Sequence, residues 1–105
     1  MRKEVKNMKS YKGKKVLVRG IQSGVYFGEL VSRDKQEVEI KNVRNLWAWR
    51  GANTLLDLAE NGAKNTSECR FSNNVNSIIL TDICEIVPCS DNAIKSIESV
   101  EEWTY

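Results

Sequence analysis

Glu37 to Lys41 (EVEIK) alternates charged and apolar residues with a period of two. Two is the period of an extended chain, whose successive side chains point to opposite faces. The pattern sends Val38 and Ile40 to a core and Glu39 and Lys41 to solvent. A segment patterned this way is a strand with one wet face. It needs a neighbouring strand to pair with and an apolar layer beneath it, so it is the clearest strand signal in the chain.

The flanking sequence supplies such neighbours. Lys15–Arg19 (KVLVR) is a short β-branched run, followed by the glycine-bounded turn Gly20-Ile21-Gln22-Ser23-Gly24. Val25–Ser32 resumes as a strand, and Gly28 inside it marks a bulge or a sharp bend, as at a barrel corner. Arg33-Asp34-Lys35-Gln36 is a polar hairpin turn leading into the alternating strand. Beyond it, NVRNLWAWRGAN continues extended, with Leu46 and Ala48 on one face and Trp47 and Trp49 on the other, until Gly51 breaks it. Tyr26 and Phe27 are expected on opposite faces of their strand, with only one of them in the core.

Asn53 or Thr54 is placed to cap a short helix, with Asp57 as the box partner and Leu55, Leu58 and Ala59 as its apolar stripe. Gly62 is its stop. Residues 63–76 form a long polar loop. Ser77–Val87 reads as a strand pair or one bent strand, turning at Thr81-Asp82 and ended by Pro88. Ser90 caps a last helix that turns Ala93, Ile94 and Ile97 inward, and Val100 and Trp103 tuck the tail back onto the body. The expected fold is mostly β with two short helices (α+β). It is a small SH3-like or Sm-like bent barrel carrying a helix-loop insertion at 53–76, and a mixed α+β sandwich fits the pattern nearly as well. Residues 1–10 are expected to be a flexible basic N-terminal arm and residues 11–105 a single β-rich domain. A domain of 105 residues is only marginally stable alone, which favours a homo-oligomer.

Composition narrows the function. The chain has no histidine, which removes the commonest general base, and it has no glycine-rich loop of phosphate-cradling spacing. Its three cysteines, Cys69, Cys84 and Cys89, are odd in number and irregularly spaced, so neither a disulfide framework nor a zinc site is expected. Cys84, inside an apolar strand, is expected in the core. No enzyme, metal or cofactor is therefore expected. No apolar run reaches the roughly 18 residues that span a bilayer, so no membrane segment is expected. The net charge of +2 gives little support to a nucleic-acid binder, which remains possible but not favoured.

Binding chemistry concentrates in the tryptophan-rich segment. Arg44, Trp47, Trp49 and Arg50 place two indoles and two guanidiniums within seven positions. Indoles stack on flat rings, and guanidiniums hold phosphates with paired hydrogen bonds. Asn53 extends this surface, and Tyr26 is a further ligand-facing candidate. Arg70, Asn73 and Asn74 on the long loop are placed to close over a ligand, since asparagine offers both donors and acceptors. A competing reading puts both indoles in the core or at a subunit interface, where tryptophan is also enriched, and leaves the loop side chains solvated.

From Tyr11 to Trp103 the chain, with RNLWAWRGANTLLDLAENG at its centre and ICEIVPCSDNAIKSIESVEEW at its end, resembles a family of small phage and prophage proteins of unassigned function. The shared features are a W-x-W-x-G-A segment, a T-L-x-x-L-A-x-x-G helix and an E-I-x-P-C-S ending. The resemblance implies a phage origin and a setting in the host cytoplasm. By analogy with phage anti-defence sponges, it further implies a protein that sequesters a cyclic nucleotide immune messenger, either a cyclic ADP-ribose isomer or a cyclic oligonucleotide, without cleaving it. The alternatives are a protein-binding phage inhibitor or accessory protein and an Sm-like RNA-binding module.

Overall fold

The computed structural model describes residues 11–104; the expected basic arm at 1–10 lies outside the described residues. Among the described residues, six strands and two helices follow in the order β1 (Lys15–Gly20), β2 (Val25–Asp34), β3 (Glu37–Ala48), α1 (Leu55–Asn61), β4 (Arg70–Phe71), β5 (Val75–Leu80), β6 (Ile83–Pro88) and α2 (Asp91–Ser99). A 3-10 turn, Thr66–Glu68, precedes β4. The fold is mostly β with two helices, as the patterning predicts.

All strand pairs are antiparallel. The sheet path runs β4-β3-β2-β1-β6, and β5 also pairs with β3. β5 and β6 therefore occupy opposite edges of the five-strand ladder, although only Thr81 and Asp82 separate them in sequence. Across a flat sheet those edges would stand about 19 Å apart. Two linking residues reach only about 11 Å from Leu80 to Ile83. The sheet must curl to be connected at all. Gly28 permits part of that curl: the pairing of β2 with β3 shifts register beside it, and a Cβ there would collide with Ile40 Cγ2 and lie 3.0 Å from the Lys41 carbonyl. The curl stops short of closure, because among the described residues no ladder joins β5 to β6. The expected closed barrel is corrected to a curled, open sheet.

Two cores lie on the two faces of this sheet. One contains Val16, Val18, Leu30, Val38, Ile40, Val43, Leu80 and Ile83, in the hollow of the curl. The other contains Leu17, Phe27, Leu46 and Phe71 under the inward faces of the helices, Leu58, Ala59 and Ile97. Central strand β1 feeds both, with Leu17 facing one and its neighbours Val16 and Val18 the other. Phe27 and Tyr26 divide in the same way, on opposite faces as expected: Phe27 is the one buried in a core, beneath the helices, and Tyr26 packs half-buried against the hollow core.

The helix ends follow their sequence signals. Thr54 Oγ1 accepts from the Asp57 amide at 3.1 Å, and Ser90 Oγ accepts from the Ala93 amide at 3.1 Å. Gly62, at φ 77°, ends α1. Ser96 Oγ bonds both the amide and the carbonyl of Ala63 at 3.0 Å, which ties α2 to the end of α1. The expected long loop at 63–76 is corrected: it is interrupted by the 3-10 turn and by β4, because Phe71 is buried against β3, and the strand after it begins at Val75, two residues before its expected start. Cys84 is exposed, against expectation, because its position on β6 points away from both cores; Cys69 is the buried thiol.

Candidate functional site

The site forms where the end of β3, β4 and the C-terminal tail meet. β4 has two residues and alternates, with Phe71 fully buried and Arg70 exposed. Its register with β3 pairs Leu46 with Phe71 and Ala48 with Arg70, so the tryptophan-rich segment lies beside Arg70. The tail docks against β4: the Trp103 amide donates to the Phe71 carbonyl at 3.0 Å, and Glu102 bridges Phe71 in parallel.

Arg44 secures this junction. It is only 5% exposed. Its Nε donates to the Ser72 carbonyl at 2.9 Å, and its Nη1 donates to the Ile97 and Val100 carbonyls at 3.1 and 2.9 Å. The guanidinium also lies 5.2 Å from the centre of the Phe71 ring. One side chain thus ties the exit of β4 to the end of α2 and the start of the tail. Burial lowers the guanidinium's pKa from its ordinary value, and the charge of Glu102 opposes that shift. The expected phosphate-binding role of Arg44 is corrected, since the side chain is buried and its Nε and Nη1 donate to backbone carbonyls inside the protein.

The paired-indole platform is corrected as well. β3 ends at Ala48, and its pairing with β4 shifts register between Leu46 and Ala48. Trp49 lies past that irregularity, half-buried against the core beneath the helices, while Trp47 is 49% exposed. Trp47 meets Trp103 instead, with ring centroids 5.7 Å apart and planes at 88°, an edge-to-face contact. Arg70 stacks over the other indole, its guanidinium carbon 5.0 Å from the Trp103 ring centre.

A groove of about 490 Å³ opens beside this cluster, lined by Arg50, Arg70, Trp103, Ser67 and Glu68. A second hollow of about 500 Å³ continues past Ser67 and Trp103 toward Ser99, Glu101 and Glu102. Arg50 is aimed here by the turn at Gly51, whose φ is 89° and whose missing Cβ leaves room for the Lys64 and Asn65 backbone. The Asn65 amide donates to the Arg50 carbonyl at 3.3 Å and pins that turn to the long loop. Among the described residues, no acid pairs with Arg50.

Of the residues expected to form a site, Arg50 and Arg70 come together in the groove, with Trp47 at its edge through Trp103. The others lie elsewhere. Tyr26 packs on the hollow core, and Asn53 precedes α1 with its amide held by Asp57 at 2.9 Å. Asn73 and Asn74 are exposed on the connection to β5 and line neither hollow. Trp103, the centre of the cluster, was legible in the sequence only as a tail anchor. Its position among Glu101, Glu102 and Thr104 carries no motif that marks a site.

A family model matches residues 13–97 of the chain. The chain belongs to the family described as Domain of unknown function (DUF6948). The match takes in Trp47, Arg50 and Arg70 and ends before Trp103, so the tail completes the groove from outside the matched region. No curated protein matches the chain.

Proposed function

We propose that this DUF6948 chain is a non-catalytic binding protein whose groove takes a phosphate-bearing ligand with a flat ring, a nucleotide. The observation that carries the reading is the convergence of Arg50, Arg70 and Trp103 on one groove, with Trp47 packed edge-on behind Trp103. Two guanidiniums suit a phosphate, and an indole face suits a base, a stack worth about 1–3 kcal/mol. Arg70 covers that face in the absence of a ligand, so a base stacks there only as the guanidinium swings off the ring toward the phosphate. The lack of histidine in the sequence supports binding without turnover.

The finer form of this proposal is the one the family resemblance implies. The protein is a phage anti-defence factor of the host cytoplasm, a homo-oligomer that sequesters a cyclic nucleotide messenger intact. Calorimetry against linear and cyclic nucleotides tests both levels. A cyclic nucleotide that binds, is recovered unchanged by mass spectrometry and loses affinity in Arg50→Ala and Arg70→Ala supports the proposal. Absence of heat across the panel overturns it. Half-exposure of Trp47 favours one second reading, a protein partner anchored on that indole. In that case Trp47→Ala abolishes capture of a host protein while Arg50→Ala leaves it intact.

A further inference from the structure

The two outer edges of the curled sheet are built differently. β6 carries Glu85, ion-paired with Arg19, and ends on Pro88, which has no amide to donate. Charge and proline are the usual means of blunting an edge. β5 (VNSIIL) has neither. From Phe71 to Thr81 the chain carries no charged residue, although 29% of its residues are charged overall. Among the described residues β5 pairs only with β3, and no further backbone bond reaches it. Val75 is 47% exposed and Ile79 61% exposed, and strand alternation places them on one face with Ser77 between them.

We infer that β5 is a self-association edge, joining two copies of this chain antiparallel about a two-fold axis at Ser77. The occupant follows from the strand's own pattern. In that register Ser77 lies opposite Ser77 of the second copy, and Val75 lies opposite Ile79 of the second copy, twice by symmetry. Both exposed apolar side chains thereby gain cross-strand partners, the arrangement that stabilises paired strands. A neutral strand brings no like charges together on self-pairing. The nearest charges, Glu39 and Lys41, sit on β3 opposite Ile79 and Ser77, one strand removed from the new seam. A six-residue contact is about 20 Å long. That belongs to the small interface class, so association depends on concentration.

Sedimentation equilibrium of the full chain over a concentration series tests this. The mass is expected to rise from 12.0 kDa toward twice that value. Ile79→Lys is expected to weaken the dimer at least about tenfold with an unchanged circular dichroism spectrum. Leu56→Lys, on equally exposed helix surface, is expected to leave it intact. Adding Val75→Glu to Ile79→Lys is expected to restore association, because the stated register sets the new acid opposite the new ammonium of the other copy. A wild-type chain still monomeric near about 1 mM overturns the proposal. So does a dimer indifferent to Ile79→Lys, an open-ended series of higher masses, or failure of the double variant to recover.

Discussion

Arg44 and Arg50 stand six positions apart in one tryptophan-rich segment, and the structure gives them opposite work. Arg44 is sealed beneath the tail, its donors held by the carbonyls of Ser72, Ile97 and Val100. Arg50 lies past the end of β3 and faces a groove. The same contrast separates the two indoles: Trp49 packs on the core, and Trp47 stands at the surface against Trp103. The difference teaches that guanidiniums and indoles close in sequence are not a site in themselves. Arg44 secures the junction and Trp49 packs on the core; Arg50 and Trp47 are displayed at the surface.

The largest effect that can break this comparison is on stability. Arg44→Met removes the side-chain donor from the Ser72, Ile97 and Val100 carbonyls, of which that of Ile97 keeps the Val100 amide, and is expected to cost about 3 kcal/mol, read as a lower urea midpoint. Arg50→Ala is expected within about 0.5 kcal/mol of wild type. Equal losses from the two would abolish the distinction. Next in size, Trp49→Ala is expected to cost about 2 kcal/mol, since the half-buried indole leaves a gap in the core, and Trp47→Ala less than about 1 kcal/mol.

A smaller clamp at the far end of the sheet sharpens the same point for a carboxylate. Asp82 accepts from the Gln22 amide at 2.7 Å, the Ser23 amide at 3.0 Å and Ser23 Oγ at 2.7 Å. The Ser23 hydroxyl first, then the Gln22 amide, hold its pKa below the ordinary value against some desolvation. A lowered carboxylate pKa gives stability that is present above about pH 4 and is lost as pH falls through the folded value. Urea midpoints are therefore expected to drop on the acid side, and Asp82→Asn is expected to flatten that drop. The smallest test is chemical. Brief alkylation of the native protein is expected to modify Cys84 first, because it is exposed. Cys89 is expected to resist, because burial pushes its thiol up to about 12 and leaves little thiolate. Peptide mapping reads the order.

Local structure was legible because its causes are local. The alternation at 37–41, the caps Thr54 and Ser90, the stop at Gly62 and the bend at Thr81-Asp82 each depend on a few adjacent residues. Half of the groove was legible too, since Arg50 and Arg70 are residue types suited to anions. What was not legible depends on long-range packing. Cys84 sits in an apolar strand, yet β6 presents that position outward. Alternation sends Tyr26 and Phe27 to opposite faces, and only the docking of the helices decides that Phe27 is the buried one.

The sequence by itself determined most of the elements, β4 excepted: short strands of period two, two capped helices and a composition with no histidine. Only the tertiary structure decided how far the sheet curls, which arginine is buried and which tryptophan meets Trp103. The reason is physical. Caps, turns and alternation are settled by contacts within about four residues. The burial of Arg44 depends on carbonyls 28 to 56 positions away, which no local pattern encodes.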